Sequence, residues 1–277
     1  MSQWLELANL RRKQKRISER TLLGFYSQKL NKLLYLCIVK STELIPQRIK
    51  AIGEGVVFGY AELQLPDDMQ TAATMTLSRM VADGSLRKVG KGKFYKPVVS
   101  RFGEMPPMIE QLTKDLLFKD GERIGYITGI PAFSQMGLTT QISSKIIIGA
   151  SQYRRPIKRG GYDISFILQP NEITDGSIPL LRMLDALKSI KKIPAASPDD
   201  VVRNICALLD KQSDEERSRL ISYAIKYAPA VRALLGAILE GIGQFSGLLK
   251  KSLNPFSKYE IGISESVLPN KSNWNIQ

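Results

Sequence analysis

Apolar and polar positions over residues 42–96 alternate between the periods of helices and strands. Leu44, Ile45 and Ile49 have helical spacing, and Pro46 is tolerated only in a first turn, so a helix is predicted over 42–52. The elements predicted after it are a strand at Val56–Phe58, a short helix at Gly59–Leu65, a helix at Met69–Asp83, and strands at Ser85–Val89 and Lys93–Lys96 around a Gly90-Lys91-Gly92 turn.

The predicted helix Met69–Asp83 has two different faces, and Gly84 is expected to close it. Asp67 and Gln70 have the spacing of a capping box at its start. Its apolar face consists of Ala73, Leu77, Met80 and Val81. The opposite face and its flanks carry Gln70, Thr71, Thr74, Met75, Ser78 and Arg79. Small polar side chains such as Thr71, Thr74 and Ser78 approach base edges and phosphates when a helix lies in the major groove.

The order helix, strand, helix, helix, basic hairpin over residues 41–100 is typical of a winged helix-turn-helix domain. A wing over the DNA backbone needs cations, and this hairpin contains Arg87, Lys88, Lys91, Lys93 and Lys96. The sequence therefore predicts double-stranded DNA as the partner, contacted by the polar helix face and by the first four of these cations. Two plainer interpretations stay open. The polar face and the hairpin can be ordinary solvated surface, or the domain can dock proteins only.

The second half of the chain predicts a mixed α/β domain that ends in helices. Residues 101–107 are expected to form a linker and Ser252 to begin a polar, loosely ordered tail. The elements predicted between them are helices at Met108–Asp120 and from Ile130, a strand at Lys145–Gly149, a hairpin around Arg159-Gly160-Gly161, and helices from Ile178, at Pro198–Leu209, at Asp214–Tyr227 and at Ala230–Leu239.

The predicted fold class is α+β: an N-terminal winged helix-turn-helix, then a mixed α/β domain with a small sheet and C-terminal helices. The predicted domains are a basic extension at 1–40, the DNA-binding domain at 41–100, the α+β domain at 101–240 and the loosely ordered tail at 241–277. A possible secondary basic patch consists of Arg154, Arg155, Lys158 and Arg159. It would contact phosphates or an acidic partner, or be simply a solvated hairpin.

The charge of the chain agrees with an anionic partner. Lys and Arg number 40 against 26 Asp and Glu, which gives a net charge of +14. Residues 1–100 hold 17 basic and 8 acidic residues, so the first third has most of the excess. A basic segment of this kind points to nucleic acid, a membrane surface or an acidic protein.

Several kinds of chemistry are not expected from this composition. The chain has no histidine and two cysteines, Cys37 and Cys206, which excludes histidine bases, His-ligated zinc and a disulfide framework. The protein is therefore predicted to be a cytoplasmic, non-enzymatic protein with reduced thiols, and without a metal site or a cofactor. The apolar run Leu33–Val39 is too short to span a bilayer.

Two stretches resemble the AbiEi-like antitoxins of prokaryotic type IV toxin–antitoxin systems. The winged-helix segment of that family is similar to Ala72–Tyr95, with the sequence AATMTLSRMVADGSLRKVGKGKFY, and its second domain to Gly129–Gln141 and the strand and hairpin that follow. The resemblance covers residues 41 to 235. It implies an antitoxin that represses its own operon and counteracts a nucleotidyltransferase-like toxin without a tight complex. It implies DNA contacts for the helix and wing residues named above, and it assigns no residue to antitoxin activity.

Three other functions are kept as alternatives. The first is a stand-alone winged-helix regulator without a toxin partner. The second is a Mg²⁺-dependent nuclease that uses Asp199 and Asp200, although acids at helix starts, such as Asp214, Glu215 and Glu216, ordinarily favour the positive end of the helix dipole. The third is a membrane-surface protein that uses residues 11–40.

Overall fold

A computed structural model of the protein describes residues 43–244 and 246–277. The predicted basic extension at 1–40 and Cys37 lie outside these residues. The described residues form two compact units, divided between Gln111 and Leu112. Both combine helices with small sheets, so the protein has the predicted α+β composition.

The first unit follows the predicted order of elements closely. Helix α1 has its described part at 43–51, and a 3₁₀ turn at Ala61–Leu63 replaces the predicted short second helix. The other elements are β1 (Val57–Phe58), a 3₁₀ turn at Asp67–Met69, α2 (Gln70–Ala82), β2 (Arg87–Gly90) and β3 (Lys93–Tyr95). The three strands form an antiparallel sheet in the order β1-β3-β2.

The core of the first unit lies between its helices and the inner face of this sheet. The side chains that form it are Ile45, Ile49, Phe58, Leu63, Ala73, Leu77, Leu86 and Phe94. Phe58 pairs directly with Phe94 across β1 and β3, and their ring centroids lie 6.3 Å apart. Burial of the apolar face of α2 therefore turns its polar face to solvent.

The predicted linker at 101–107 is wrong. Strands β4 (Val98–Ser100) and β5 (Gly103–Met105) form a second hairpin there, closed by Arg101 and Phe102. Gly103 has φ = +106°, a conformation that favours glycine. The turn was missed because three-residue strands leave almost no periodic signal.

The second unit is built on a four-stranded sheet in the order β10-β11-β9-β8. The strands are β8 (Gly125–Thr128), β9 (Lys145–Ala150), β10 (Ile157–Arg159) and β11 (Tyr162–Leu168). Strands β9 and β11 are parallel, and the other two pairs are antiparallel. Gly160 and Gly161 both have positive φ in the β10–β11 turn, as a type I′ turn requires, so the predicted hairpin is confirmed.

The predicted helix Met108–Asp120 is shorter than expected. Helix α3 covers Ile109–Leu117, and a small hairpin of β6 (Phe118–Lys119) and β7 (Glu122–Arg123) follows it. Asp120 and Gly121 have φ of +51° and +84°. An Asp-Gly pair favours a type I′ hairpin turn, and this local preference ends the helix.

Six helices complete the second unit. They are α4 (Ile130–Gln135), α5 (Ile178–Lys188), α6 (Pro198–Leu209), α7 (Asp214–Ala224), α8 (Pro229–Gly241) and α9 (Gly247–Lys251). The Ser197–Asp200 and Ser213–Glu216 pairs form reciprocal capping boxes that begin α6 and α7. Helices α2 and α8, the longest with both ends described, have 13 residues each, and no described helix has the length and apolarity to span a membrane.

The predicted loosely ordered tail at 241–277 is wrong. Its end belongs to the main core of the second unit, where Ile261, Ile263, Leu268 and Ile276 are buried. Trp274 is fully buried against α8, and its Nε1 donates a hydrogen bond to Glu240 Oε2. Burial of widely spaced apolar residues orders this segment, whose regular structure among the described residues is limited to α9 and a 3₁₀ turn at Lys271–Trp274.

Candidate functional site

Helix α2 turns a polar face to solvent, as predicted. Gln70, Thr71, Thr74, Met75, Ser78 and Arg79 are all exposed, whereas Ala73 and Leu77 are fully buried. Met75 is 70% exposed. Thr74 donates its hydroxyl proton to the Gln70 carbonyl at 3.0 Å, so its oxygen remains available as an acceptor.

Both ends of α2 are held by local contacts. The predicted Asp67–Gln70 capping box is absent, because Met69 is the N-cap and the Asp67–Met69 3₁₀ turn leads directly into the helix. At the other end, Asp83 Oδ1 accepts hydrogen bonds from the Ser85 hydroxyl at 2.6 Å and from its N–H at 2.9 Å. These bonds lower the pKa of Asp83 and fix the turn from α2 into β2.

Arg87, a predicted DNA contact on β2, is already engaged within the first unit. Its Nη2 and Nε lie 2.5 and 2.9 Å from the two carboxylate oxygens of Glu104, and its Nη1 donates to the Gly84 carbonyl at 3.0 Å. A bidentate pair of this kind is the strong form of an exposed ion pair. Arg87 would have to leave Glu104 to contact a phosphate.

Lys93, a predicted DNA contact on β3, is also paired. Its Nζ lies 3.4 Å from Glu62 Oε1. Burial raises the pKa of Glu62, but hydrogen bonds from backbone N–H groups and the charge of Lys93 outweigh it, so the pKa is lowered overall. Glu62 is therefore ionised at neutral pH and neutralises Lys93.

Lys88 and Lys91 differ from these two cations. Both are exposed, and neither makes an ion pair or a side-chain hydrogen bond within the described ranges. Lys96 donates a hydrogen bond to the Lys50 carbonyl at 3.2 Å. Among the described residues, Lys88 in β2 and Lys91 in the β2–β3 turn are thus the hairpin cations without a polar partner. Residues 41–100 hold eight Lys and Arg against six Asp and Glu, whereas residues 1–40 hold nine against two. Most of the excess charge of the first hundred residues therefore precedes the described domain.

The four residues of the predicted secondary basic patch have different surroundings. Arg159 is bound to both oxygens of Asp115 and to the Leu112 carbonyl, and its side chain is only 11% exposed. Lys158 pairs with Asp163 at 3.2 Å. The guanidinium of Arg154 lies 5.9 Å from the centre of the Phe166 ring. Arg155 alone of the four has no such contact among the described residues.

The acids proposed for a nuclease serve other roles. Asp199 accepts hydrogen bonds from the N–H and hydroxyl of Ser264, and Asp200 belongs to the α6 capping box. In the two described ranges, no group of three or more metal-ligating side chains comes together. No described cluster therefore favours Mg²⁺-dependent cleavage.

A polar network in the second unit was not predicted. Asp185, 3% exposed, accepts hydrogen bonds from the hydroxyls of Tyr126 at 2.7 Å and Tyr227 at 3.0 Å. Gln169 Nε2 donates to both of these hydroxyl oxygens at 2.8 Å. Burial raises the pKa of Asp185, and the hydrogen bonds counter part of this shift. The sequence contained one signal: Asp185 lies four residues after Leu181, on the buried side of α5.

The comparisons identify a family without a described activity. The chain belongs to DUF6088, a family of unknown function that matches residues 44–218. It is similar to the crystal structure of the RV2827C protein from Mycobacterium tuberculosis, with 16% sequence identity and a TM-score of 0.48, over 80% of this chain and 85% of that one. No curated protein matches the sequence.

Proposed function

We propose that the first unit is a winged helix-turn-helix domain that binds double-stranded DNA. Helix α2 would be the recognition helix in the major groove, and the β2–β3 hairpin would be the wing. The order α1, β1, 3₁₀ turn, α2, β2, β3 supports this proposal. The observation that carries it is an exposed polar face on α2, followed by a hairpin with two exposed lysines that form no ion pair among the described residues, Lys88 and Lys91.

The ion pairs within the first unit give the ten predicted contact residues different roles in this proposal. Lys88 and Lys91 contact phosphates in this proposal. Thr71, Thr74 and Ser78 face base edges, where hydroxyl groups both donate and accept. Arg87 and Lys93 contribute less than expected, because Glu104 and Glu62 neutralise them.

The biological role that we propose is that of a type IV antitoxin. The protein would repress its own operon and counteract a nucleotidyltransferase-like toxin, without a tight complex between the two. The family resemblance of Ala72–Tyr95 and Gly129–Gln141 supports this role, and no single residue is assigned to it. A stand-alone regulator with the same DNA-binding unit is the alternative.

Protein docking by α2 is a second candidate for the first unit. The 70% exposure of Met75 favours it, since an unbranched apolar side chain on an open helix face suits a protein surface. The two candidates differ in their response to salt. DNA binding releases counterions and weakens steeply as salt increases.

Fluorescence anisotropy with the full chain tests DNA binding. The probes are the duplex upstream of its own gene and a scrambled duplex, each at two salt concentrations. We expect salt-dependent binding that prefers the upstream duplex. Absence of binding to both duplexes at low salt would remove the proposal and leave protein docking.

Variants of the wing test the assignment of phosphate contacts. The double substitution Lys88→Ala and Lys91→Ala should weaken binding to both duplexes and flatten the salt slope by about 0.9 per lost contact. Lys211→Ala, an exposed lysine of the second unit, is the matched control and should change neither quantity. An unaltered slope in the double variant would exclude the wing as a phosphate clamp.

The antitoxin role has its own test. A neighbouring gene for a nucleotidyltransferase-like protein should arrest growth when expressed alone, and co-expression of the full chain should restore growth. Restored growth without co-purification would agree with an antitoxin that forms no tight complex. Continued arrest, together with DNA binding, would favour the stand-alone regulator.

A further inference from the structure

The second unit contains a half-open cavity of about 250 Å³ beyond the end of β11. Its walls are Ile167–Pro170, Asp185 and Lys188 of α5, and Lys226–Ala228 before α8. The parallel strands β9 and β11 both end nearby, where the Gln169 N–H donates to the Ala150 carbonyl at 2.8 Å. The carboxyl ends of parallel strands are a frequent location for ligands.

The hydrogen bonds around Asp185 favour its ionised form. Both amide hydrogens of Gln169 Nε2 are donated to the hydroxyl oxygens of Tyr126 and Tyr227. Each tyrosine has one remaining proton, and both protons point to Asp185. Asp185 is therefore the acceptor in this network, and the hydrogen bonds favour its ionised form, whereas burial raises its pKa. A carboxylate accepts about four hydrogen bonds, so it has capacity for a donor in the cavity.

The ionised form of Asp185 has no ion pair among the described residues, although the charge of Lys188 on the same helix lowers its pKa. Within the described ranges, no Lys or Arg nitrogen forms an ion pair with its carboxylate. A buried charge without a partner is costly, and hydrogen bonds from two neutral hydroxyls offset only part of this cost. A positively charged group in the cavity would compensate it directly.

The outer part of the cavity has the opposite charge. Lys188 and Lys226 line it and are exposed. Helix α8 begins beside it with Ala228 as N-cap, a residue with no side chain to cap the first N–H groups. These features favour an anionic group next to the lysines.

We propose that this cavity binds a free α-amino acid. The ammonium group of the ligand donates to Asp185, and its carboxylate contacts Lys188 and Lys226. The two ends of the cavity thus match the two charges of a zwitterion. The volume is slightly below the roughly 300–1,000 Å³ of pockets for drug-sized molecules, which suits a ligand of amino-acid size. This inference is independent of DNA binding.

Isothermal titration calorimetry with the full chain tests the proposal. Each proteinogenic amino acid is titrated to about 10 mM, a range in which a millimolar Kd is measurable. We expect saturable binding of at least one amino acid. The corresponding amine without the carboxylate, and the corresponding acid without the amino group, should each bind about tenfold more weakly or worse.

Three variants test whether the two charged ends of the cavity, Asp185 and the lysine pair, contribute to binding beyond the general effect of removing a surface charge. We expect amino-acid binding to weaken about tenfold or more in the double variant Lys188→Met, Lys226→Met. The same loss is expected in the single variant Asp185→Asn. Lys211→Met removes an exposed lysine elsewhere in the second unit and should bind like the wild type. If circular dichroism shows that Asp185→Asn does not fold, the binding affinity of the Lys188→Met, Lys226→Met double variant tests the proposal. No binding of any amino acid, or binding that the lysine pair does not weaken, would overturn the proposal.

Discussion

Gly236 lies in the interior of α8, where alanine ordinarily stabilises a helix by about 1 kcal/mol relative to glycine. The surroundings of Gly236 reverse this expectation. A Cβ atom at this position would overlap the six-membered ring of Trp274, which is fully buried against α8. The ring is also held by its hydrogen bond to Glu240. We therefore expect Gly236→Ala to destabilise the second unit.

The size of the effect follows from two costs. Forcing a methyl group into a filled core costs about 1–3 kcal/mol. Displacement of the ring would also weaken the Trp274–Glu240 hydrogen bond, and bonds to charged groups contribute about 1.5–3 kcal/mol. After the helix-propensity gain is subtracted, the free energy of unfolding should fall by about 1.5–5 kcal/mol.

Urea unfolding followed by far-UV circular dichroism measures this change. The matched control is Gly236→Ala in a Trp274→Ala background, in which the overlapping ring is gone. There the alanine should be neutral or stabilising. A higher unfolding midpoint for Gly236→Ala in the wild-type background would show that Trp274 does not lie against α8.

Three further predictions concern other parts of the chain. Glu104→Gln releases Arg87 from its ion pair, so the affinity for DNA in the anisotropy assay should increase. The salt dependence of binding should steepen by up to about 0.9. Weaker binding by the variant would contradict this expectation. Ser213→Ala removes the α7 capping box and should lower the unfolding free energy by about 1 kcal/mol, whereas Ser222→Ala, an exposed mid-helix control, should stay within about 0.5 kcal/mol. Burial raises the pKa of Tyr227 above its ordinary value of 10.0, so the unfolded chain loses this proton first and the free energy of unfolding falls as pH rises above 10. Tyr227→Phe should make this fall with pH less steep. An equally steep fall in the variant would exclude the pKa shift.

The local elements of the first unit were largely predictable because their signals are short-range. The apolar positions of α2 repeat at helical spacing, and Gly84, with φ = +85°, ends the helix as expected. The faces of α2 follow from the same period, and therefore its exposed side chains were identified correctly. The predicted capping box was wrong, because the 3₁₀ turn at Asp67–Met69 supplies the first turn through its own backbone.

The electrostatic state of the candidate interface could not be predicted. Arg87 and Glu104 are 17 residues apart, and Lys93 and Glu62 are 31 apart. In sequence all the hairpin cations look equivalent. Folding brings Arg87 and Lys93 against carboxylates and Lys96 against the Lys50 carbonyl. Lys88 and Lys91 are left exposed, with no ion pair or side-chain hydrogen bond among the described residues.

Sequence by itself determined the α+β class, the positions of most helices and the polar face of α2, since periodicity and capping act within a few residues. Tertiary structure alone decided which distant side chains meet. It buried Trp274 against Gly236 and so ordered the C-terminal segment. It also brought together Tyr126 of β8, Gln169 just after β11, Asp185 of α5 and Tyr227 before α8. The physical reason is that burial and ion pairing depend on distances in space, which a linear pattern does not contain.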